Sequence, residues 1–337
     1  MTEELPGLDL DRLRAYLDRE APGMIAGPLS GEVVTGGKSN LTYTVTDGSG
    51  HWVVRRPPLG HVLATAHDMS REYRVMTALR DTAVPVPRTY LLCEDTEVLG
   101  APFYMMEHVE GLPLRTETEI APYGAEGTRE IARALITTLG DLHAVDPASV
   151  GLGDFGRPEG FLERQVRRWR KQLDASRSRD IPGIDELHER LERTRPEQGP
   201  SAIVHGDYRL DNVLVTDEGR LTAVLDWEMA TLGDPLVDLG LMLVYKEHSV
   251  TGGPSPATSA EGFPSSSELV QTYAAATGRD VSRLNWYVGF GCFKLAVIAE
   301  GIHYRHSQGL TVGAGFDTMG EVVPLLVEHA HATLQED

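Results

Sequence analysis

The chain has 337 residues, an apolar fraction of 41% and a formal net charge of −19. That length and composition suit two domains or one large two-lobed unit with a sizeable core, and argue against wholesale disorder. The acidic balance opposes nonspecific nucleic-acid binding, and no apolar run reaches the roughly 18 residues of a membrane span. The acidic start, MTEELPGLDLDRLRAYL, lacks a signal pattern, and Cys93 and Cys292 stand far apart, so a cytoplasmic chain with free thiols is expected.

Residues 9–20 read as a short amphipathic helix. Three strand-like runs follow, Glu32–Thr35, Leu41–Thr46 and His51–Arg55, the last two joined by the turn signal Asp47-Gly48-Ser49-Gly50. Pro57-Pro58 ends that segment. A helix over Ser70–Arg80 comes next, then a strand over Pro102–Glu107. Beyond about residue 110 the pattern turns helical, with expected helices over Thr128–Val145, Gly160–Ser176, Asp185–Thr194, Ser266–Thr277, Arg283–His306 and Met319–Leu334. Asp234-Pro235 opens another, with Asp as N-cap and Pro in the first turn. The fold class is therefore α+β: a sheet-rich first lobe over 1–107 and a larger helical second lobe over 108–337.

The chemistry concentrates in Ile203–Asp226. Asp207 lies on a loop, Asn212 follows it by five residues, and two apolar runs around Thr216-Asp217-Glu218-Gly219 read as a hairpin ending in Asp226. Each residue alone reads as a turn former or strand cap. The hairpin would bring all three together, and phosphoryl transfer needs that set: a carboxylate to take the hydroxyl proton, and hard oxygen ligands for Mg²⁺. The spacing matches the kinase loop H-x-D-x-x-x-x-N followed by an Asp. A hydrolytic His/Asp metal site lacks a second histidine at ligand spacing.

HGDYRLDNVLV followed by VLDWEMATLGDPLVDL resembles the aminoglycoside phosphotransferase and choline kinase-like family, and within it the kinase-like domains related to those fused to some acyl-CoA dehydrogenases. The resemblance covers roughly residues 30–310. It implies a protein-kinase-like bilobal fold binding ATP, with GTP as the alternative, and Mg²⁺. Asp207 matches the base, Asn212 and Asp226 the metal ligands, and His205 the residue that steadies the loop. Asp234 and Asp238 would support the site, with a structural reading preferred for both.

The first lobe should then supply the phosphate cover and a cation. Gly36, Gly37, Lys38, Ser39 and Asn40 lie between two strands, where backbone N–H groups can meet phosphate oxygens. Arg55 occupies the place of the kinase V-A-I-K lysine; it departs from the pattern, yet binds phosphate bidentately. Glu72 shares a helix face with Met76 and Leu79 and needs a partner there, for which Arg55 is the candidate. Glu107 and Val109 fall at the expected hinge, where backbone groups would hold the base.

The acceptor is less legible. Arg168, Trp169, Glu300 and His303 are the candidate contacts, with Gln165, Lys294 and Tyr304 nearby, although such residues more often form helix faces or core. The run Arg167, Arg168 and Arg170 would suit a carboxylate or phosphate, and the acidic chain would tolerate a cation. The expected partners are a nucleotide and a small hydroxylated acceptor. Two competing readings remain, a nucleotide-binding module without transfer activity and, more weakly, a hydrolase.

Overall fold

A computed structural model describes residues 5–34, 40–59, 68–247, 256–309 and 318–335. The chain forms two units, Met1–Glu110 with Thr222–Glu228, and Gly111–Leu221 with Met229–Asp337.

The first unit is built on a five-stranded antiparallel sheet of order β1-β2-β3-β5-β4: β1 (Ser30–Val33), β2 (Leu41–Thr46), β3 (His51–Arg56), β4 (Thr89–Cys93) and β5 (Phe103–Glu107). The β2–β3 turn forms as its composition demands, with Asp47 Oδ1 accepting from the Ser49 and Gly50 amides at 2.9 and 2.8 Å. Strand β1 begins two residues before the expected Glu32. The sequence reading missed β4, since TYLLC shows no clean alternation and follows two prolines; pairing with β5, through a bulge between Thr89 and Leu91, makes it a strand.

Alternation decides which residues face what. Tyr43, Val45, Trp52, Val54, Phe103 and Met105 share a core cluster with Leu13 and Leu17 of the helix Leu10–Glu20. Arg55, next to Val54, and Tyr104, between Phe103 and Met105, are direct cross-strand partners and point to the opposite face. The helix Met69–Leu79, capped by Asp68, packs against β4 and β5 and carries Glu72.

The second unit is mainly helical: Gly124–Ala144, Phe161–Ser176, Ile184–Arg193, Leu236–Glu247, Ser266–Thr277, Leu284–Ser307 and Met319–Gln335 are its long helices. The first of these begins four residues before the expected Thr128, led in by the 3₁₀ turn Ala121–Tyr123. Leu284–Ser307 is buried along most of its length and packs against four of the others. A short antiparallel pair, Ala202–Val204 with Thr231–Gly233, escaped the sequence reading because three-residue strands carry too little pattern. It delivers the chain into His205 at one end and Asp234 at the other. The turn between the strands Val213–Val215 and Leu221–Val224 closes through Thr216 N to Arg220 O at 2.9 Å, with Gly219 at φ 79°. No helix among the described residues is long and apolar enough to cross a membrane.

Candidate active site

In the first unit, Arg55 is the centre of a buried polar cluster. Its Nε lies 3.3 Å from Glu72 Oε2 and its Nη2 2.5 Å from Asp226 Oδ1. The pair anticipated between Arg55 and Glu72 is therefore present. Tyr104 Oη donates to Glu72 Oε2 at 2.9 Å, and Asn40 Nδ2 donates to Glu72 Oε1 and Glu228 Oε2 at 3.2 and 3.1 Å. Burial pushes the Glu72 carboxyl up, more than Arg55 pulls it down. Burial disfavours the Arg55 charge, yet the surrounding groups, including Glu72 and Asp226, hold its pKa above the ordinary arginine value. Among the described residues the buried Arg55 Nε has no hydrogen-bond partner, since its approach to Glu72 is close but misaligned. The adjacent Arg56 turns to the other face, where it donates to the carbonyls of Gly7 and Leu99.

Asp226 has φ 67°, the sole positive φ outside glycine among the described residues. An aspartate tolerates that left-handed conformation better than most residues, and held strain of this kind concentrates at working sites. Gly36, Gly37, Lys38 and Ser39 lie outside the described residues. Glu107 ends β5, its Oε2 accepting from Arg88 N at 3.1 Å, and Val109 follows in the same unit.

The second unit brings Asp207 and Asn212 together. Asn212 Nδ2 donates to Asp207 O at 2.8 Å and to Asp207 Oδ2 at 3.1 Å, while Tyr245 Oη donates to Asp207 Oδ1 at 2.8 Å. Both oxygens of the carboxylate are thus held. His205 is fully buried and its Nδ1 accepts from Asp207 N at 3.2 Å. Gly206 sits at φ 87°, and a Cβ there would lie 2.7 Å from the Met229 backbone oxygen, so only glycine fits.

Asp238 anchors this loop from below, accepting from His205 N at 2.7 Å and Gly206 N at 2.8 Å. His143 Nε2 lies 3.2 Å from the same carboxylate, and Tyr273 Oη 2.7 Å from His143 Nδ1. An ionised carboxylate only accepts, so Nε2 carries the proton and Nδ1 accepts from the phenol. Burial works against the Asp238 charge, but His143 and the loop amide hold its pKa below the ordinary carboxylate value. Burial likewise holds His143 below its ordinary value, against the pull of Asp238. Asp234 accepts from Leu236 N and Tyr287 Oη at 3.1 and 2.8 Å, fixing the start of the helix that carries Asp238.

Among the acceptor candidates, Arg168 is exposed and lies over the Trp169 ring at 5.6 Å, whereas Trp169 itself is buried. Arg167 pairs with Glu163, and Arg170 with Asp174 and Asp185. Lys294 is 8% exposed, donates to Gly206 O at 2.6 Å and sits 5.6 Å from the Trp169 ring. Burial holds its ammonium below the ordinary lysine range, against Asp207 and Asp238. Glu300 is fully buried, accepting from Ser178 N, Ser178 Oγ and Arg179 Nε, which ties a loop to the long helix. His303 lies against Gly320.

Tyr245, Arg209, Tyr104 and Glu228 escaped the sequence reading. Tyr245 did leave a signal: it stands seven residues after Asp238, about two helical turns, and so on the same face.

The phosphotransferase enzyme family matches residues 30–287. The chain belongs to that family. Acyl-CoA dehydrogenase family member 11 of Gallus gallus is 34% identical over 335 residues, covering 95% of this chain and 43% of the chicken protein. The chain thus spans about two fifths of that relative. A solved structure described as a putative aminoglycoside phosphotransferase from Ralstonia eutropha is 33% identical, with a TM-score of 0.85, covering 97% of this chain and 98% of that one. A thermostable aminoglycoside phosphotransferase, solved as a ternary complex with AMP-PNP and hygromycin B, shares the fold at 15% identity, with a TM-score of 0.61 over 96% of this chain and 97% of that one. The phosphotransferase chain has a kinase-like fold, with the antiparallel sheet in its N-terminal part and helices in its C-terminal part.

Proposed function

We propose that the chain is an ATP-dependent small-molecule kinase in which Asp207 takes the proton of an acceptor hydroxyl. The observation that carries this reading is the hold on Asp207, with Oδ2 bound by Asn212 and Oδ1 by Tyr245 on a loop whose backbone is tied to the buried Asp238. A carboxylate held at both oxygens is oriented before substrate arrives, which is what positioning catalysis requires. The acceptor oxygen would form its bond to the γ-phosphorus as the bond to the bridging oxygen breaks. ADP leaves, and the hydroxyl proton passes to Asp207.

The buried, unbonded N–H of Arg55 suits a phosphate oxygen as its missing acceptor. Arg55 meets Glu72 and Asp226 with the fork that a lysine would replace by a point charge, so the departure from lysine fits a working site. Asn212 donates through Nδ2, which leaves its oxygen for a cation, and Asp226 offers its second carboxylate oxygen. Each is a hard oxygen donor of the kind Mg²⁺ takes, one or two at a time with phosphate rather than in a full protein cage. When bound, Mg²⁺ would neutralise charge on the phosphate oxygens.

Asp207→Ala should lower turnover by about 10²–10⁴-fold with nucleotide affinity retained. The measurement is a coupled ADP assay over aminoglycosides, choline-like amines, sugars and hydroxyacyl compounds, with calorimetry for Mg²⁺-ATP. Normal turnover by Asp207→Ala would remove the base assignment. Binding without transfer to any acceptor would mark a silent nucleotide-binding module, and phosphate release without acceptor dependence a hydrolase.

A further inference from the structure

Helix Leu236–Glu247 touches the catalytic loop twice. Near its start Asp238 takes the amides of His205 and Gly206, and at its end Tyr245 Oη donates to the side chain of Asp207 at 2.8 Å. Seven residues on an α-helix make about two turns and about 10 Å of rise, so one rigid face reaches both the loop backbone and its carboxylate. We propose that Tyr245 is a positioning residue that sets the direction of the Asp207 carboxylate; this rests on the phosphoryl-transfer reading above.

Three observations support the assignment. Tyr245 holds Oδ1, while Asn212 and, at 3.8 Å, Arg209 approach Oδ2, so without the phenol the carboxylate is gripped among the described residues through one oxygen and can rotate about it. The Arg209 guanidinium lies 4.6 Å over the Tyr245 ring, and its Nε lies 3.8 Å from Asp207 Oδ2. The ring is thereby clamped by a residue of the loop it serves. Burial, and after it the charge of Asp207, raise the phenol well above its ordinary range, so it remains a donor throughout the neutral region. Lys294, on a different helix, grips the same loop at Gly206 O and so holds its backbone, while Tyr245 reaches the carboxylate itself.

Tyr245→Phe keeps the ring beneath Arg209 and deletes one hydroxyl. Turnover, read as ADP release from Mg²⁺-ATP with water and with each acceptor of the panel, should fall about 10-fold or more, the scale of a displaced catalytic group. KM for ATP and Tm should stay at the wild-type values. In an Asp207→Ala background the same change should lower turnover no further, because its effect runs through that carboxylate. Wild-type turnover by Tyr245→Phe overturns the assignment. So does an equal loss in both backgrounds, or a fall in kcat matched by a fall in Tm, which marks packing alone. Loss of activity in Asp207→Ala with full activity in Tyr245→Phe would sink this inference and spare the kinase reading; full activity in Asp207→Ala, or no ADP release by the wild type, would sink both.

Discussion

Arg55 and Arg56 are neighbours of identical chemistry with opposite fates. Strand alternation sends Arg55 to the face of Tyr104 and Glu72, and Arg56 to the carbonyls of Gly7 and Leu99. Arg55 also contacts two carboxylates with two different nitrogens, which an ammonium at the end of an alkyl chain cannot reproduce in the same plane. Arg55→Lys is therefore expected to weaken Mg²⁺-ATP binding about 10–100-fold, the value of one charge-assisted hydrogen bond of about 1.5–3 kcal/mol. Isothermal calorimetry checks this, and unchanged affinity would show that the fork is dispensable.

At the scale of elements, the helix Leu236–Glu247 matters through how closely it lies against Leu284–Ser307. A Cβ on Gly240 would come within 2.6 Å of the Tyr287 carbonyl carbon, and one on Gly291 within 3.3 Å of Leu241 Cα. Backbone cannot retreat as a flexible side chain can, so the helices would have to separate. Gly240→Ala should cost about 1–3 kcal/mol of stability, the usual range for overpacking. Asp238 and Tyr245 ride on the displaced helix, so turnover should fall as well while nucleotide affinity persists. Denaturant unfolding together with the ADP assay reads both effects, and an unchanged midpoint would contradict the close approach.

At the scale of the molecule, His143 links three helices of the second unit through Asp238 and Tyr273. Its folded pKa lies below the ordinary 6.5 because it is buried. As pH falls below about 6.5 the unfolded chain takes up a proton that the folded chain refuses, so stability is lost. His188 is held low in the same direction, by burial first and then Arg170. Tm should therefore fall between pH 7 and pH 5, and less steeply in His143→Gln. A slope unchanged by that substitution would show that His143 does not carry the acid sensitivity.

The sequence by itself determined the kinase-like fold class, the loop from His205 to Asn212 and the pairing of Arg55 with Glu72. The elements were legible for a local reason: turn chemistry at Asp47–Gly50 and Thr216–Gly219, strand alternation and helix period each act within a few residues, whereas the kinase-like fold and the Arg55–Glu72 pair were read through the family resemblance. The strand Thr89–Cys93 and the pair Ala202–Val204 with Thr231–Gly233 exist through partners distant in the chain, and no local pattern announced them. The same holds for the hold on Asp207. Tyr245 lies 38 positions away and Asp238 reaches the loop amides across 33. The five-residue step to Asn212 was legible because one loop spans it; which helix would bring a phenol to the other carboxylate oxygen was decided by helix packing alone.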